Sequence, residues 1–134
     1  MGLDTTHDAW SGAYSAFSRW RNMLAEGAGY SVAKIEGEAL PLVLIDWGHV
    51  TTENIQGDWA ETPADPLLVL IAHSDCDGHI VPRDAVPLAD RLDELAPLLP
   101  SEGAGHLRDP REQTRRFARG LRAAAEAGER VEFG

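Results

Sequence analysis

The stretch of sequence that decides the fold is DPREQTRRFARGLRAAAEAG, residues 109–128. Asp109 is a good helix N-cap, Pro110 suits the first helical position, and Glu112 stands where a capping box places its acidic residue. Gly128 is the residue type that ends helices in the left-handed conformation. These signals predict a helix that begins at Pro110 and ends at about residue 127.

The spacing inside this helix separates an apolar face from a basic face. Phe117, Leu121 and Ala124 or Ala125 recur at helical spacing and are expected to face the core. The opposite face takes the arginines, which are Arg108, Arg111, Arg115, Arg119 and Arg122. We expect a solvated helix face; the alternative is that helix 108–122 pairs with the acidic body of a second copy, forming a homo-oligomer.

Three further segments have helical patterns. Residues 8–26 place aromatic side chains on one face, and we expect this stripe (Trp10, Tyr14 and Phe17) to lie in the core. Asp65-Pro66 is a typical helix start, which favours a helix for the apolar run 67–72, although its periodicity also fits a buried strand. Leucines spaced like a helix over residues 88–99 predict an amphipathic helix whose last turn Pro97 disturbs.

The remaining segments predict only short strands. Residues 40–45 read as a short edge strand, because Pro41 cannot sit in a central one. Residues 131–133 read as a second strand, placed beside residues 1–5. The predicted fold is therefore a mainly α single domain, residues 1–134, of about four helices with minor short strands. The alternative is an α+β fold in which residues 67–72 form a central strand.

Composition limits the function. The chain has 134 residues and a net charge of −10, which disfavours nucleic acid and anionic membrane surfaces as partners. No apolar run approaches the length of a membrane helix. Cys76 is the single cysteine, and the first residues lack the pattern of a secretory signal, so we expect a cytoplasmic location.

One stretch combines several groups that bind metals or protons. HSDCDGHIVPRD, residues 73–84, packs two aspartates and two histidines into seven residues. The stretch resembles an EF-hand calcium loop, with acidic residues at positions 3, 5 and 12 and glycine at position 6. The resemblance implies a divalent metal site, calcium first, made by His73, Asp75, Asp77, His79 and Asp84.

The stretch also departs from the EF-hand pattern. Position 1 is His73, where the family has an aspartate, and position 12 is Asp84, which is shorter than the usual glutamate. Only one such loop is visible, whereas these loops usually come in pairs. The alternative is an empty turn in which the aspartates bond their own backbone amides.

A second resemblance is to the first motif of DHH-type phosphoesterases. Residues 69–78 match an apolar strand followed by His-x-Asp-x-Asp-Gly, and in that family the aspartates bind manganese. The family's further acidic ligands and its Asp-His-His triplet are not found in this sequence. The resemblance implies metal-dependent hydrolysis by the cluster from His73 to Asp77.

The whole chain resembles a set of small bacterial and phage proteins of no established activity. The shared features are a start like Gly2-Leu3-Asp4, the hexapeptide HSDCDG at residues 73–78, and an ending like residues 129–133. Two functional classes therefore remain open. One is a non-enzymatic binding or accessory domain for an unknown protein or small molecule, and the other is a metal-dependent hydrolase.

Overall fold

The computed structural model describes residues 2–30, 32–34, 41–43, 50–102 and 109–134. In these residues there are five α-helices, α1 to α5: Tyr14–Gly27, Thr52–Gln56, Leu68–Ile71, Pro82–Leu95 and Pro110–Glu126. There are also six short strands, β1 to β6: Gly2–Asp4, Ser11–Ala13, Val32–Lys34, Pro41–Val43, His79–Ile80 and Val131–Glu132. The mainly α prediction with minor strands is confirmed, and the α+β alternative is wrong because α3 occupies most of residues 67–72.

The strands form three antiparallel pairs, β1 with β2, β3 with β4, and β5 with β6. Pro41 begins β4, as expected for an edge strand, while residues 40, 44 and 45 of the predicted strand lie outside the described part of the chain. β6 pairs with β5 instead of with β1. Residues 131–134 contact the start of the chain through a bridge between Thr5 and Phe133. The amides of Gly134 and Glu132 also donate to the carbonyl oxygen of Asp4 and the hydroxyl of Thr6, so the predicted pairing is partly right.

Helix α1 begins at Tyr14, later than the predicted start at Asp8. A 3₁₀ turn at Thr6–Asp8, with His7 and Asp8 in the left-handed region, and strand β2 occupy the intervening residues. Arg116 of α5 stabilises this turn, because its guanidinium donates to the main-chain and side-chain oxygens of Asp8 at 2.8 and 2.6 Å. The strain of two left-handed residues is thus balanced by contacts from another element.

The core is aromatic where α1 meets α5. Trp20 stacks on Trp10, lies 5.0 Å from Phe117 by ring centroids, and donates its indole N–H to Thr114 at 2.9 Å. Phe17 and Trp10 are buried here, whereas Tyr14 is half-buried and packs against the core, so the predicted aromatic stripe is confirmed in part. The leucines of α4 complete the core, and Pro97 converts the end of that helix into a 3₁₀ turn at Ala96–Leu98, as expected.

Helix α5 matches its prediction closely. Asp109 accepts a hydrogen bond from the amide of Glu112 at 3.0 Å, Gly128 has a positive φ, and Phe117 and Leu121 are fully buried. Several of its arginines bond within the chain, and the acceptors are Leu99 for Arg111, Asp8 for Arg116, Glu112 for Arg119, and Asp90 and Asp93 for Arg122. Arg108 lies outside the described residues. Homo-oligomer formation through this face stays a prediction, although these arginines already have partners.

Candidate functional site

The stretch that resembles a metal-binding loop connects α3 to α4 as a helix-loop-helix turn. We call residues 73–81 the loop, and Asp75, Cys76 and Asp77 its tip. Gly78 has a φ of 91°, as position 6 of such a turn requires. Beyond it the chain forms β5, whose pairing with β6 fixes the second half of the loop.

The hydroxyl of Ser74 stabilises the turn. Its Oγ accepts hydrogen bonds from the amides of Cys76 and Asp77 at 3.2 and 3.3 Å. The alternative prediction, an empty turn whose amides are bonded by the aspartates, is therefore wrong about the acceptor. The side chain that accepts from the turn amides is that of Ser74. Asp77 and Cys76 are exposed, and Asp75 is half-buried.

His73 lies beneath the loop with only 3% of its surface exposed. Its two ring nitrogens lie 2.7 and 2.8 Å from the carbonyl oxygens of Ser74 and His79, and its ring stacks on Phe133 at 4.0 Å. Burial lowers the pKa of His73, and the two carbonyl oxygens oppose that shift only in part. At neutral pH the ring is therefore neutral and carries a single N–H, so it donates to one of these two carbonyl oxygens at a time.

Arg21 of α1 reaches the same place from the core side. Its Nη1 donates to the carbonyl oxygens of Leu70, Ile71 and His73 at 3.3, 3.4 and 2.5 Å. The guanidinium also lies 4.6 Å from the ring centroid of Phe17. Burial lowers the pKa of Arg21 to about 10, with the charge of Asp75 opposing the shift, so the side chain stays a cation at neutral pH.

The segment after α2 supports the loop from its outer side. His79 contacts Asp58 at 2.9 Å between Nε2 and Oδ1, and the Ser74 amide donates to the carbonyl oxygen of Ile55 at 2.8 Å. Gly57 has a φ of 104°, and a Cβ there would lie 1.7 Å from the carbonyl oxygen of His79. The two main chains therefore touch where only glycine fits.

Asp84 is fully buried at the start of α4 and does not join the tip. Its Oδ1 accepts from the Thr62 hydroxyl at 2.5 Å and from Arg83 Nε at 3.1 Å. Arg83 in turn donates to the carbonyl oxygens of Trp59 and Ala60. Asp84 thus anchors the segment 59–62 to α4.

The structure does not bring the five predicted ligands together. Across residues 2–30, 32–34, 41–43, 50–102 and 109–134, no three His, Cys, Asp or Glu side chains are grouped so that they could bind one metal ion. His73 contacts main-chain oxygens and His79 contacts Asp58, which leaves Asp75 and Asp77 at the tip. The run before the motif is helix α3, whereas the phosphoesterase motif has a strand there.

Sequence reasoning missed several residues that shape the site. These residues are Arg21, Asp58, Thr62 and Phe133, whose roles gave no local signal in the sequence. Each of them contacts a residue that is far away in the sequence, and the hydrophobic periodicity of a segment gives no information about such contacts. In the part of the chain that the structure describes, no helix has the length and apolar character to cross a membrane.

Comparison with known proteins adds no relative. No protein-family model, curated protein or solved structure matches the chain. The resemblance to small bacterial and phage proteins therefore stays a prediction.

Proposed function

We propose that this protein is a non-enzymatic binding domain whose tip, Asp75 to Asp77, recognises a basic group of a protein partner. The supporting observation is that the residues beneath the tip are held by hydrogen bonds, whereas the Asp77 carboxylate at the tip has no partner among the described residues. Beneath the tip, His73, Arg21 and Ser74 make hydrogen bonds to main-chain groups. Preorganisation of this kind lowers the entropic cost of binding.

The chemistry of the tip favours a cationic ligand. The Asp77 carboxylate is exposed and makes no hydrogen bond or ion pair to any residue that the structure describes. Because Ser74 caps the turn, the carboxylate is available to accept from an ammonium or guanidinium group. A divalent cation such as calcium is the other candidate ligand, but calcium takes six to eight oxygen ligands, and the tip offers two carboxylates.

The test is an NMR titration of ¹⁵N-labelled protein with a short acetylated Lys-Arg peptide and, separately, with calcium chloride. We expect the peptide to shift the amides of residues 74–79 saturably. Asp77→Asn should weaken this binding at least about tenfold, since a hydrogen bond to a charged group contributes roughly 1.5–3 kcal/mol. Glu126→Gln is the matched control, because it removes one exposed negative charge from α5, away from the loop.

Two outcomes would contradict the proposal. Peptide shifts spread over the whole acidic surface, and equally reduced by Glu126→Gln, would mean charge attraction without a site. Saturable shifts with calcium alone, lost in Asp77→Asn, would instead favour the metal-binding interpretation of the loop.

A further inference from the structure

Arg21 connects the hydrophobic core to the loop. It projects from α1, which supplies Phe17, Trp20 and Leu24 to the core, and its guanidinium ends on three carbonyl oxygens at and after the end of α3. The last carbonyls of a helix have no partner within it, and a cation is favoured there. The carbonyl oxygen of Leu70 also accepts from the amide of His73 at 3.2 Å. Arg21 therefore serves mainly as a donor to the carbonyl oxygens of Ile71 and His73 at the start of the loop.

The shortest of these contacts fixes the direction of the chain. The bond from Nη1 to the carbonyl oxygen of His73 measures 2.5 Å, and His73 is the residue whose ring spans the loop to the carbonyl oxygen of His79. Its main chain is thereby tied to α1 and its side chain to β5. The orientation of the first residue of the loop is set from both sides.

From these contacts we propose that Arg21 is the positioning residue of the loop, setting the conformation in which Asp77 is presented. The inference deepens the proposed function, since it names the residue that prepares the binding tip, and it rests on that function for its biological meaning. Arg21 acts on the loop through His73 and the end of α3.

Asp75 belongs to the same arrangement. Its negative charge acts on Arg21 and partly compensates the burial of the guanidinium. The two aspartates of the tip therefore have different roles, Asp75 beside the buried cation and Asp77 toward the partner. Asp75→Asn should loosen the loop, whereas Asp77→Asn should leave it intact.

Hydrogen exchange measured by NMR without any ligand tests the inference. The informative amides are those of Ser74, Asp77 and Phe133, which donate to Ile55, to the Ser74 hydroxyl and to Gly78. Arg21→Met should raise their exchange rates at least about tenfold relative to those of the core amides. Arg21→Lys keeps the charge but loses the planar fork, so its effect should be intermediate and it serves if the methionine variant does not fold.

Thr114→Val is the matched control. It removes the α5 hydroxyl that accepts from Trp20, another side chain of α1, and that itself donates to the carbonyl oxygen of Pro110. It should lower global stability without a selective effect on the three loop amides. Arg21 has no positioning role if both of its variants leave these amides as protected as in the wild type, or if Thr114→Val exposes them equally.

Negative results in the exchange experiment and in the peptide titration reject different proposals. Loss of loop protection in Arg21→Met, with no peptide binding by the wild type, would support the positioning role and reject the proposed function. Peptide binding that is unchanged in Arg21→Met and Arg21→Lys would reject the positioning role alone.

Discussion

The aromatic core and the loop share one ring, that of Phe133, yet they are stabilised in different ways. On one side Phe133 contacts Phe17 edge-on at 6.1 Å, and on the other it stacks on His73 at 4.0 Å. The core is stabilised by buried rings and leucines. The loop is stabilised by hydrogen bonds to main-chain oxygens and by close contact between glycines and neighbouring backbone.

The difference matters for tolerance to substitution. Apolar packing depends on volume, so a core accepts other apolar residues of similar size at modest cost. A hydrogen bond to a buried carbonyl oxygen depends on one donor in one direction, and its loss leaves a polar group unsatisfied. We therefore expect substitutions in the core to change global stability and substitutions at the loop to change local opening.

Phe117→Ala should have the largest effect. Removing a fully buried ring typically costs about 3–5 kcal/mol, and Phe117 packs 5.0 Å from Trp20. Urea unfolding would measure the loss, with the exposed Arg115→Ala expected to stay within about 0.5 kcal/mol of the wild type. A small loss in the phenylalanine variant would mean that the core is not where stability resides.

Gly57→Ala tests the contact between the two main chains. The added methyl would meet the carbonyl oxygen of His79, and the residue would keep a φ of 104°, so we expect a loss of at least about 2 kcal/mol. Gly29 has a φ of 92° with open space around it, so Gly29→Ala isolates the backbone strain, expected at roughly 1 kcal/mol. Equal losses in the two variants would show that the close contact contributes nothing.

The sequence predicted the parts of this fold that depend on neighbours along the chain. The cap and length of α5, the burial of Phe17 on α1 and the helix at residues 67–72 all follow from local spacing or residue type. The hydrogen-bond partners of the loop histidines could not be predicted in this way, because they lie in distant parts of the sequence. Arg21, Asp58 and Phe133 reach His73 and His79 only through tertiary packing, so motif matching assigned the histidines to a metal.

Ser74→Ala should have a smaller effect than the glycine substitution. Its hydroxyl accepts from two amides of the turn, and losing such a cap costs about 1 kcal/mol. Asp77→Ala should change stability by less than about 0.5 kcal/mol, since no cap depends on its carboxylate. Denaturant titrations of both variants measure their free energies of unfolding. A larger decrease for Asp77→Ala than for Ser74→Ala would favour a turn capped by the aspartate.

The last prediction concerns pH. Burial lowers the pKa of His73, so over the interval below the ordinary histidine pKa of about 6.5 the unfolded chain binds more protons than the folded one. This contribution should reduce the free energy of unfolding as the pH falls through that interval. Urea midpoints measured at pH about 7.5 and about 5.5 should differ less in His73→Gln than in the wild type. An unchanged difference would mean that His73 does not titrate as its burial requires.

The pairing of β5 with β6 has a consequence for the order of events during synthesis. Ile80 has no strand partner until Val131 has been made, and His73 has no ring beneath it until Phe133 follows. About 50 residues separate these segments, which at roughly 5–20 residues per second is several seconds of translation. The tip thus acquires its final shape after the helices that flank it, so a nascent chain would already carry the acidic residues but not yet the surface that presents them.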